Sequence, residues 1–408
     1  MMKIGYIGLG KLGMPCAEAI VDKGFLVEGY DINTVYSKKV LVLDSIESAV
    51  KNKDIVFVAV PTPHSKMYDG ATPSTDLPPK DFTYNIVTDV LIEANKHMNK
   101  NQLLVLISTV LPGTVRREFA KLVTNTRLIY NPYLIAMGSV AYDMVNPEMV
   151  MIGTQDGSET GDAKLLKEFY QNIMENDPRY VIGTWDECEC IKVFYNTFIS
   201  AKLSLVNMIQ DVAERQGNIN VDVVTEALAQ SDKRIMGPQY MTAGMGDGGA
   251  CHPRDNIALR WMGQQLDLGY DIFDCIMQAR DIQAENLATV LVTESQNNDY
   301  PIVIHGKAYK PNVAYTEGSY SMLVGHYCEA MGVKPNYLDP LTGDNYEPLG
   351  PCVFLLAHNS YVTYQHTGQN YENKLYCKIP NDSIVVDPWR AYENDKCIVI
   401  HYGNTRHV

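Results

Sequence analysis

The sequence predicts an α/β chain that opens on a parallel, doubly wound sheet, and three observations predict it. Residues 3–8 form a short apolar strand that ends at Gly8-Leu9-Gly10-Lys11-Leu12-Gly13, and a helical pattern follows to about Gly24. A second strand, Phe25 to Tyr30, ends at Asp31. Strand and helix patterns then alternate as far as Tyr130, the alternation of a parallel sheet covered on both faces.

The first observation carries a cofactor expectation. G-x-G-x-x-G between a strand and a helix permits a tight turn and brings pyrophosphate close to the helix N-terminus. Gly8, Gly10, Lys11, Leu12 and Gly13 are the cofactor-binding candidates there. Asp31 can accept from ribose hydroxyls and repels a 2′-phosphate, so NAD is expected over NADP.

The next strand, Asp54 to Val60, is continuously apolar and runs into Pro61-Thr62-Pro63. A helix over about 84–98 precedes a strand over 103–107 and the segment Ser108-Thr109-Val110-Leu111-Pro112-Gly113-Thr114. A helix to about 123 and a strand over 127–130 complete the alternation. The strand ends at Pro61, Ser108 and Asn131 should border the cofactor crevice, because ligands of open parallel sheets lie at their C-terminal ends. Val60, Thr62 and Thr109 join the candidates on that ground, although Thr109 alone reads equally as a strand-end turn residue.

From about Thr184 to Gly217 runs one long helical pattern, in which Lys192, Asn196, Ser200 and Asn207 fall on one face. The residues between them are mostly apolar and are expected to bury the helix, so the polar stripe must find partners in a ligand or a neighbouring helix. Lys192 is the sharpest clue, since a buried lysine is costly without a function or a pair. Cys188-Glu-Cys190 lies on the same helix with no second pair and reads as structural. Helices over 221–231, 254–268 and about 272–295 follow. A second α/β unit begins with the strand Ile302 to Gly306 and the segment Lys307-Ala-Tyr-Lys310-Pro-Asn312. Further strands are expected near 335–338, 352–356, 384–387 and 397–401, with Asp387-Pro-Trp-Arg390 closing one of them.

Between the helices stands Gly244-Met-Gly-Asp-Gly-Gly-Ala-Cys251-His-Pro-Arg-Asp255. Its four glycines permit repeated positive φ and a close approach of backbone to a ligand. Pro253 suits a first helical turn, and a thiol at a helix N-terminus beside Arg254 is favoured as thiolate. Read alone, the stretch fits a surface loop with an inert cysteine equally well.

Composition bounds the function classes. The chain has 408 residues, 46% hydrophobic and 20% charged, which suits two or three domains with ordinary cores. A net charge of −14 argues against nucleic acid or a membrane surface as partner, while leaving an anionic small ligand open. The apolar runs are too short for a membrane span, and the first residues read as a strand rather than a signal peptide. Nine cysteines without framework spacing read as reduced thiols of a cytoplasmic protein, and no metal site is expected.

Taken together, the motifs resemble the UDP-glucose/GDP-mannose dehydrogenase family over essentially the whole chain. They are Gly8-x-Gly10-x-x-Gly13 with Asp31, Val60-Pro-Thr-Pro63, Ser108-Thr-Val-x-Pro-Gly-Thr114, Lys192-x-x-x-Asn196, Asp232-x-Arg234-Ile235, Gly248-Gly-x-Cys251-x-x-x-Asp255 and Gly306-x-x-x-Lys310-Pro-Asn312. The resemblance implies two Rossmann-like doubly wound domains joined by a central long-helix dimerisation region. The divisions would be 1–184 for NAD, 185–296 for the central region with the cysteine loop, and 297–408 for the nucleotide sugar.

It further implies oxidation of the C6 hydroxymethyl of a nucleotide sugar, a UDP-hexose, to a carboxylate with reduction of two NAD, in a homodimer. Cys251 would trap the intermediate aldehyde as a thiohemiacetal, which becomes a thioester that water hydrolyses. Lys192 and Asn196 would stabilise the oxyanion, and Thr109 and Asp255 would position or activate water. Lys310, Arg390 and Gly248 would hold the nucleotide sugar, with Arg234 reaching it across the dimer.

Three departures stand out. The two places where the family usually carries glutamates after the strand ending at Tyr130 hold Tyr133 and Met137, so the usual base for thioester hydrolysis is missing. Asp247 replaces an aromatic before the glycine pair, and Ala314-Tyr315-Thr316-Glu317 reverses one charge of the family's Asp-Asp-x-Arg. A nucleotide-sugar-binding homologue with impaired hydrolysis is the alternative these departures leave.

Overall fold

A computed structural model describes residues 2–63, 80–136, 138–233, 235–237, 243–245, 251–311, 313–358, 364–366, 369–371 and 375–404. The side chains of residues 203, 207, 251, 252, 254, 255, 258 and 364–371 lie outside that description. The chain divides into two compact units, Met1–Ser204 and Leu205–Val408.

The first unit runs β1 (Lys3–Ile7), α1 (Gly13–Asp22), β2 (Leu26–Tyr30), β3 (Leu41–Val42), α2 (Ile46–Val50), β4 (Ile55–Val58), α3 (Asn85–His97), β5 (Leu103–Leu106) and β6 (Arg127–Tyr130). It continues through α4 (Val140–Val145), β7 (Met149–Thr154), α5 (Asp162–Gln171) and β8 (Arg179–Thr184) into α6 (Trp185–Gln216). Among the described residues the strands form one sheet in the order β3-β2-β1-β4-β5-β6-β7-β8. Neighbours run parallel except β6 and β7, so the expected parallel sheet ends at β6 and a parallel pair is added to it in the opposite sense.

Burial explains why β4 reads as an unbroken apolar run. Ile55 and Phe57 enter the core on one face and Val56 and Val58 the core on the other, as expected of a sheet covered on both sides. α6 starts at a capping box visible in the sequence as Thr184-Trp-Asp-Glu187. The Glu187 amide donates to Thr184 Oγ1 at 3.3 Å, and Thr184 N–H donates back to the Glu187 carboxylate at 2.8 Å.

The second unit holds the rest of α6, then α7 (Val221–Ala229), α8 (Cys251–Gln265), α9 (Ile272–Asn298), β9 (Ile302–His305), α10 (Tyr320–Ala330) and β10 (Asn336–Asp339). After these come β11 (Asp344–Asn345), β12 (Val353–Leu356), β13 (Tyr364–His366), β14 (Gln369–Tyr371), β15 (Ile384–Asp387) and β16 (Ile398–His401). Its larger sheet has the order β11-β10-β9-β12-β15-β16. The first strand of the unit thus lies beside the second on one side and the fourth on the other, the same doubly wound order as in the first unit. Asn220 caps α7 and Asp271 caps α9 through their side chains.

Two local expectations are corrected. The segment after Thr114 is a π-helical turn, Val115–Phe119, followed by a 3-10 turn, Ala120–Leu122, rather than an α-helix. The apolar residues of α6 do not bury it: Phe194 is 56% and Phe198 59% exposed, and Ile199, Leu205 and Val206 are also exposed. α8 and α9 show the same pattern at Ile257, Trp261, Ile276 and Ile282. A periodicity that reports an apolar face does not say whether the same chain covers it.

Candidate functional site

The glycine-rich loop after β1 is built for a closely approaching ligand. Gly8 has φ +91°, and a Cβ there would collide with the Ala59 carbonyl. A Cβ on Gly13 would collide with the Gly8 carbonyl, so only glycine lets α1 start so close to the strand. At Gly10 the space is open, leaving room for a phosphate where a side chain would otherwise stand. No side chain caps α1 at Leu12 and no acidic residue occupies its first turn, so its N-terminal amides point at that space. Lys11 beside it is exposed. Asp31 ties this loop to the end of β2, accepting from Leu9 N–H at 2.8 Å and from Asn33 N–H at 2.8 Å. The carboxylate retains lone pairs for a ribose. These features fit a dinucleotide.

The loops after β4 and β5 are latched to one another beside it. Ser108 Oγ donates to the Val60 carbonyl at 2.6 Å, and Thr62 Oγ1 donates to the Thr109 carbonyl at 2.8 Å. Thr109 is therefore more than a free turn residue: its backbone is held by the neighbouring strand's loop. Asn131, the third predicted strand end, turns its amide inward to the Met151 carbonyl at 2.6 Å and accepts from the Tyr170 hydroxyl. Its side chain is part of the core, not of a crevice wall.

Lys192 and Asn196 lie one turn apart on α6. The Lys192 ammonium donates to the Tyr133 carbonyl at 2.6 Å and has no carboxylate partner among the described residues. Burial pulls its pKa down from the ordinary lysine value. Asn196 is exposed. The unit thus brings Lys192 to the segment where the family's glutamates would stand, but through a backbone carbonyl. Tyr133 itself turns away: its hydroxyl lies 3.0 Å from that of Tyr170, within the core of the first unit. Burial pushes its pKa well above the ordinary tyrosine value. The side chain that replaces the first of the family's glutamates therefore points into the core. Met137 lies outside the described residues.

One residue of this neighbourhood is missed by the sequence reading. Glu189 is wholly buried, and its carboxylate accepts from Gly113 N–H at 2.5 Å and Val115 N–H at 2.7 Å. Burial pushes its pKa up to about 7 against the pull of those two donors. The only local signal was a glutamate between two cysteines, three residues before Lys192. Cys188, beside it, is buried and free, as the structural reading expects.

In the second unit the loop after β9 is closed in a parallel way. Gly306 has φ +101°, and a Cβ there would crowd the His358 ring. Asp339, wholly buried at the end of β10, accepts from Lys307 N–H and Ala308 N–H at 2.9 Å each. Lys307 is paired with Asp344 at 3.0 Å. Lys310 is exposed, stands 5.1 Å over the Tyr309 ring, and makes no ion pair among the described residues. Its ammonium is thus open to solvent on one side of this loop.

Arg390, at φ +57°, points the other way. Its guanidinium donates to the carbonyls of Pro388, of Tyr402 at 3.1 Å and of Ala243 at 2.6 Å. Trp389 leaves no space for a side chain at Gly244. The Asp387-Pro-Trp-Arg390 turn therefore holds the entry to the glycine-rich stretch through the backbone. Cys251 is the first residue of α8 and Pro253 lies in its first turn. The side chains of Cys251 and Asp255, together with Arg234 and Gly248, lie outside the described residues. No helix of the described residues is long and apolar enough to cross a membrane, and no group of acidic, histidine and cysteine side chains among them would hold a metal.

Comparison with known proteins agrees with this geometry. A UDP-glucose 6-dehydrogenase of Rickettsia prowazekii is 25% identical over 307 residues, which cover 74% of this chain and 65% of that protein. The chain therefore spans about two thirds of that relative's length. A UDP-glucose 6-dehydrogenase of Bacillus subtilis, TuaD, is 25% identical over 374 residues, 84% of this chain and 76% of that protein. Among solved structures, a ternary complex of GDP-mannose dehydrogenase from Pseudomonas aeruginosa superposes with a TM-score of 0.77. It is 19% identical and covers 98% of this chain and 99% of its own, a likeness of fold. The NAD binding domain of the UDP-glucose/GDP-mannose dehydrogenase family matches residues 33–174, and NAD is the cofactor such a domain takes. The family's central domain matches residues 186–283. With both domains present in order and the dinucleotide loop in place, the chain belongs to the UDP-glucose/GDP-mannose dehydrogenase family.

Proposed function

We propose that the protein is an NAD-dependent dehydrogenase that oxidises the C6 hydroxymethyl of a nucleotide sugar, a UDP-hexose, to the carboxylate. The observation that carries this is the pairing of an open dinucleotide loop after β1 with a half-buried Lys192 that lacks any acidic partner among the described residues. A partly desolvated cation without a counter-charge suits a place where negative charge develops during a reaction.

Two equivalents of NAD supply the acceptor for the four electrons. Lys192 and Asn196 hold the sugar oxygen and stabilise it as an oxyanion. Cys251, at the start of α8, attacks the aldehyde carbon as thiolate; the carbonyl oxygen takes the proton and a thiohemiacetal results. Its oxidation gives a thioester, and water attacking that carbonyl releases the acid and returns the thiol. Asp255 and Thr109 are the groups left to activate that water. Lys310 and Gly248 take the nucleotide, with Arg234 contributed across a dimer.

The division into 1–184, 185–296 and 297–408 assigns these tasks to an NAD domain, a dimerisation region and a nucleotide-sugar domain. The exposed apolar residues of α6, α8 and α9 support a homodimer formed by the central region. Free cysteines throughout the described residues support a reducing, cytoplasmic setting. A slowed last step is the second reading, favoured by a Tyr133 hydroxyl turned into the core where a carboxylate would be needed.

The deciding experiment mixes the protein with NAD and a panel of UDP- and GDP-hexoses, and counts NADH per sugar consumed. Two NADH per sugar acid with a UDP-hexose supports the reading. No NADH with any sugar overturns it, and one NADH with release of free aldehyde overturns the thioester route.

A further inference from the structure

Glu189 joins two parts of the first unit that the reaction uses together. It is on α6, one turn before Lys192, and both of its carboxylate oxygens accept backbone N–H groups from the segment that carries Thr109. That segment is held on two other sides. Thr62 anchors the Thr109 carbonyl, and the Tyr84 hydroxyl, at the start of α3, accepts from Leu111 N–H at 3.3 Å. Two contacts tie it to the lysine helix: an exposed ion pair between Arg116 and Asp186 at 2.8 Å and the buried Glu189 carboxylate, which alone of the two holds the segment by its backbone.

We infer that Glu189 is the positioning residue that fixes Thr109 and the rim of the dinucleotide crevice in register with Lys192. This rests on the proposed dehydrogenase reading. A neutral aliphatic residue would fill the same volume without the cost of burying a carboxylate, so a purely packing role does not explain the choice. Two charge-assisted bonds from one rigid helix turn specify the position of the loop in a way that packing does not. They also specify the π-helical turn: Gly113 and Val115 N–H groups lie at its start and would otherwise lack acceptors.

The register then depends on the charge of Glu189, because a protonated carboxyl has one oxygen committed as a donor and loses an acceptor. Its surroundings make that change accessible near neutrality. Burial and Asp186 disfavour the anion, while the two amides and Arg117 favour it, for a pKa of about 7. Tyr130 of β6, Cys188 and Cys190 of α6 and Arg116 of the π-helical turn also face it. The two cysteines and the tyrosine have pKa values raised above their ordinary ones and Arg116 stays charged, so none of the four titrates across the same range.

The test compares the full-length wild type with Glu189→Gln and Glu189→Asp, each saturated with NAD and assayed with the UDP-hexose that supports turnover. In Glu189→Gln the kcat should fall about 10- to 100-fold, the scale of a misplacement near 1 Å, with KM for the sugar and Kd for NAD within about twofold. The wild-type kcat should rise with pH through about 7, and this limb should be absent from the Gln variant; Asp should restore part of kcat. Hydrogen exchange over residues 108–119, measured without sugar at one pH, should lose protection in the Gln variant. A Gln variant with wild-type kcat and an unchanged acid limb overturns the inference. So does a variant that loses thermal stability but keeps kcat per folded molecule. If the wild type oxidises no nucleotide sugar, the dehydrogenase reading has failed, and the exchange measurement still decides whether Glu189 holds the loop.

Discussion

The Lys192 ammonium and the Tyr133 carbonyl share a 2.6 Å hydrogen bond, while the Tyr133 side chain turns away from the lysine to meet Tyr170. The segment that follows β6 is thus kept as a backbone partner for the lysine helix. It offers no carboxylate at Tyr133. If Lys192 carries the proposed oxyanion role, it does so without an acid at Tyr133. Lys192→Met should lower kcat by about 10²–10³, the loss typical of one oxyanion donor, with sugar affinity nearly unchanged. Stopped-flow NADH formation checks this, and a loss confined to KM would count against it.

Tyr133 is expected to be structural. Tyr133→Phe removes one side of a hydroxyl pair and should cost about 1 kcal/mol of stability without changing kcat. Tyr133→Glu should not restore a hydrolytic base. It would place a carboxylate among Tyr6, Tyr170 and Cys16, and should cost roughly 3–5 kcal/mol as an unpaired buried charge. Urea unfolding of both variants, read beside their turnover, separates this from a catalytic role.

Asp31 is expected to set the cofactor. Its carboxylate stands at the end of β2 and already holds Leu9 N–H, so a 2′-phosphate would face a fixed negative charge. The kcat/KM for NAD should exceed that for NADP by about 10²-fold or more, and Asp31→Ser should narrow the ratio from both sides. Equal values for the two cofactors in the wild type would contradict the assignment.

What was legible in the sequence follows from how local each signal is. The loop at Gly8, the long helix starting near Thr184 and the strands running into Pro61 and Ser108 are short-range patterns, and the chain folds as they indicate. Glu189 was not legible because its partners, Gly113 and Val115, are backbone groups more than 70 residues away. A donor N–H leaves no trace in residue type. The direction of the Tyr133 side chain was hidden for a related reason: it is set by Tyr170, which only the packed sheet brings near. The α6 periodicity reported an apolar face correctly and could not report that the single chain leaves it exposed.

His305 should make the second unit sensitive to acid. It is 2% exposed, Tyr376 N–H donates to its Nε2 at 2.9 Å, and burial, with His358 nearby, pulls its pKa down to about 4. The folded protein therefore binds fewer protons here than the unfolded chain between about pH 6.5 and 4, so stability falls as pH drops through that window. The contribution is on the order of 3 kcal/mol, since each pH unit between the folded and unfolded pKa is worth about 1.4 kcal/mol. His305→Gln can still accept from Tyr376 and should flatten the fall. Thermal melts from pH 7 to 4 would show it, and parallel curves for the two proteins would exclude His305 as the cause.

The last expectation concerns the thioester. Its hydrolysis needs an activated water, and the one described position where the family carries a base presents a hydroxyl buried in the core. Loss of a general base costs about 10²–10⁴-fold in the step it serves. On the proposed route, formation of the thioester would draw on Lys192 and Cys251 and would not be slowed by that loss. Turnover should then begin with a burst of about two NADH per active site, followed by a slow phase set by hydrolysis, as expected when a covalent intermediate accumulates. Intact-mass spectrometry of enzyme quenched in the slow phase should find the acyl adduct on Cys251, and Cys251→Ala should show neither burst nor adduct. Added hydroxylamine should shorten the slow phase by attacking the thioester directly, which does not require the missing base. Fast steady-state turnover with no burst and no adduct would mean that another group, Asp255 foremost, performs the hydrolysis at full rate.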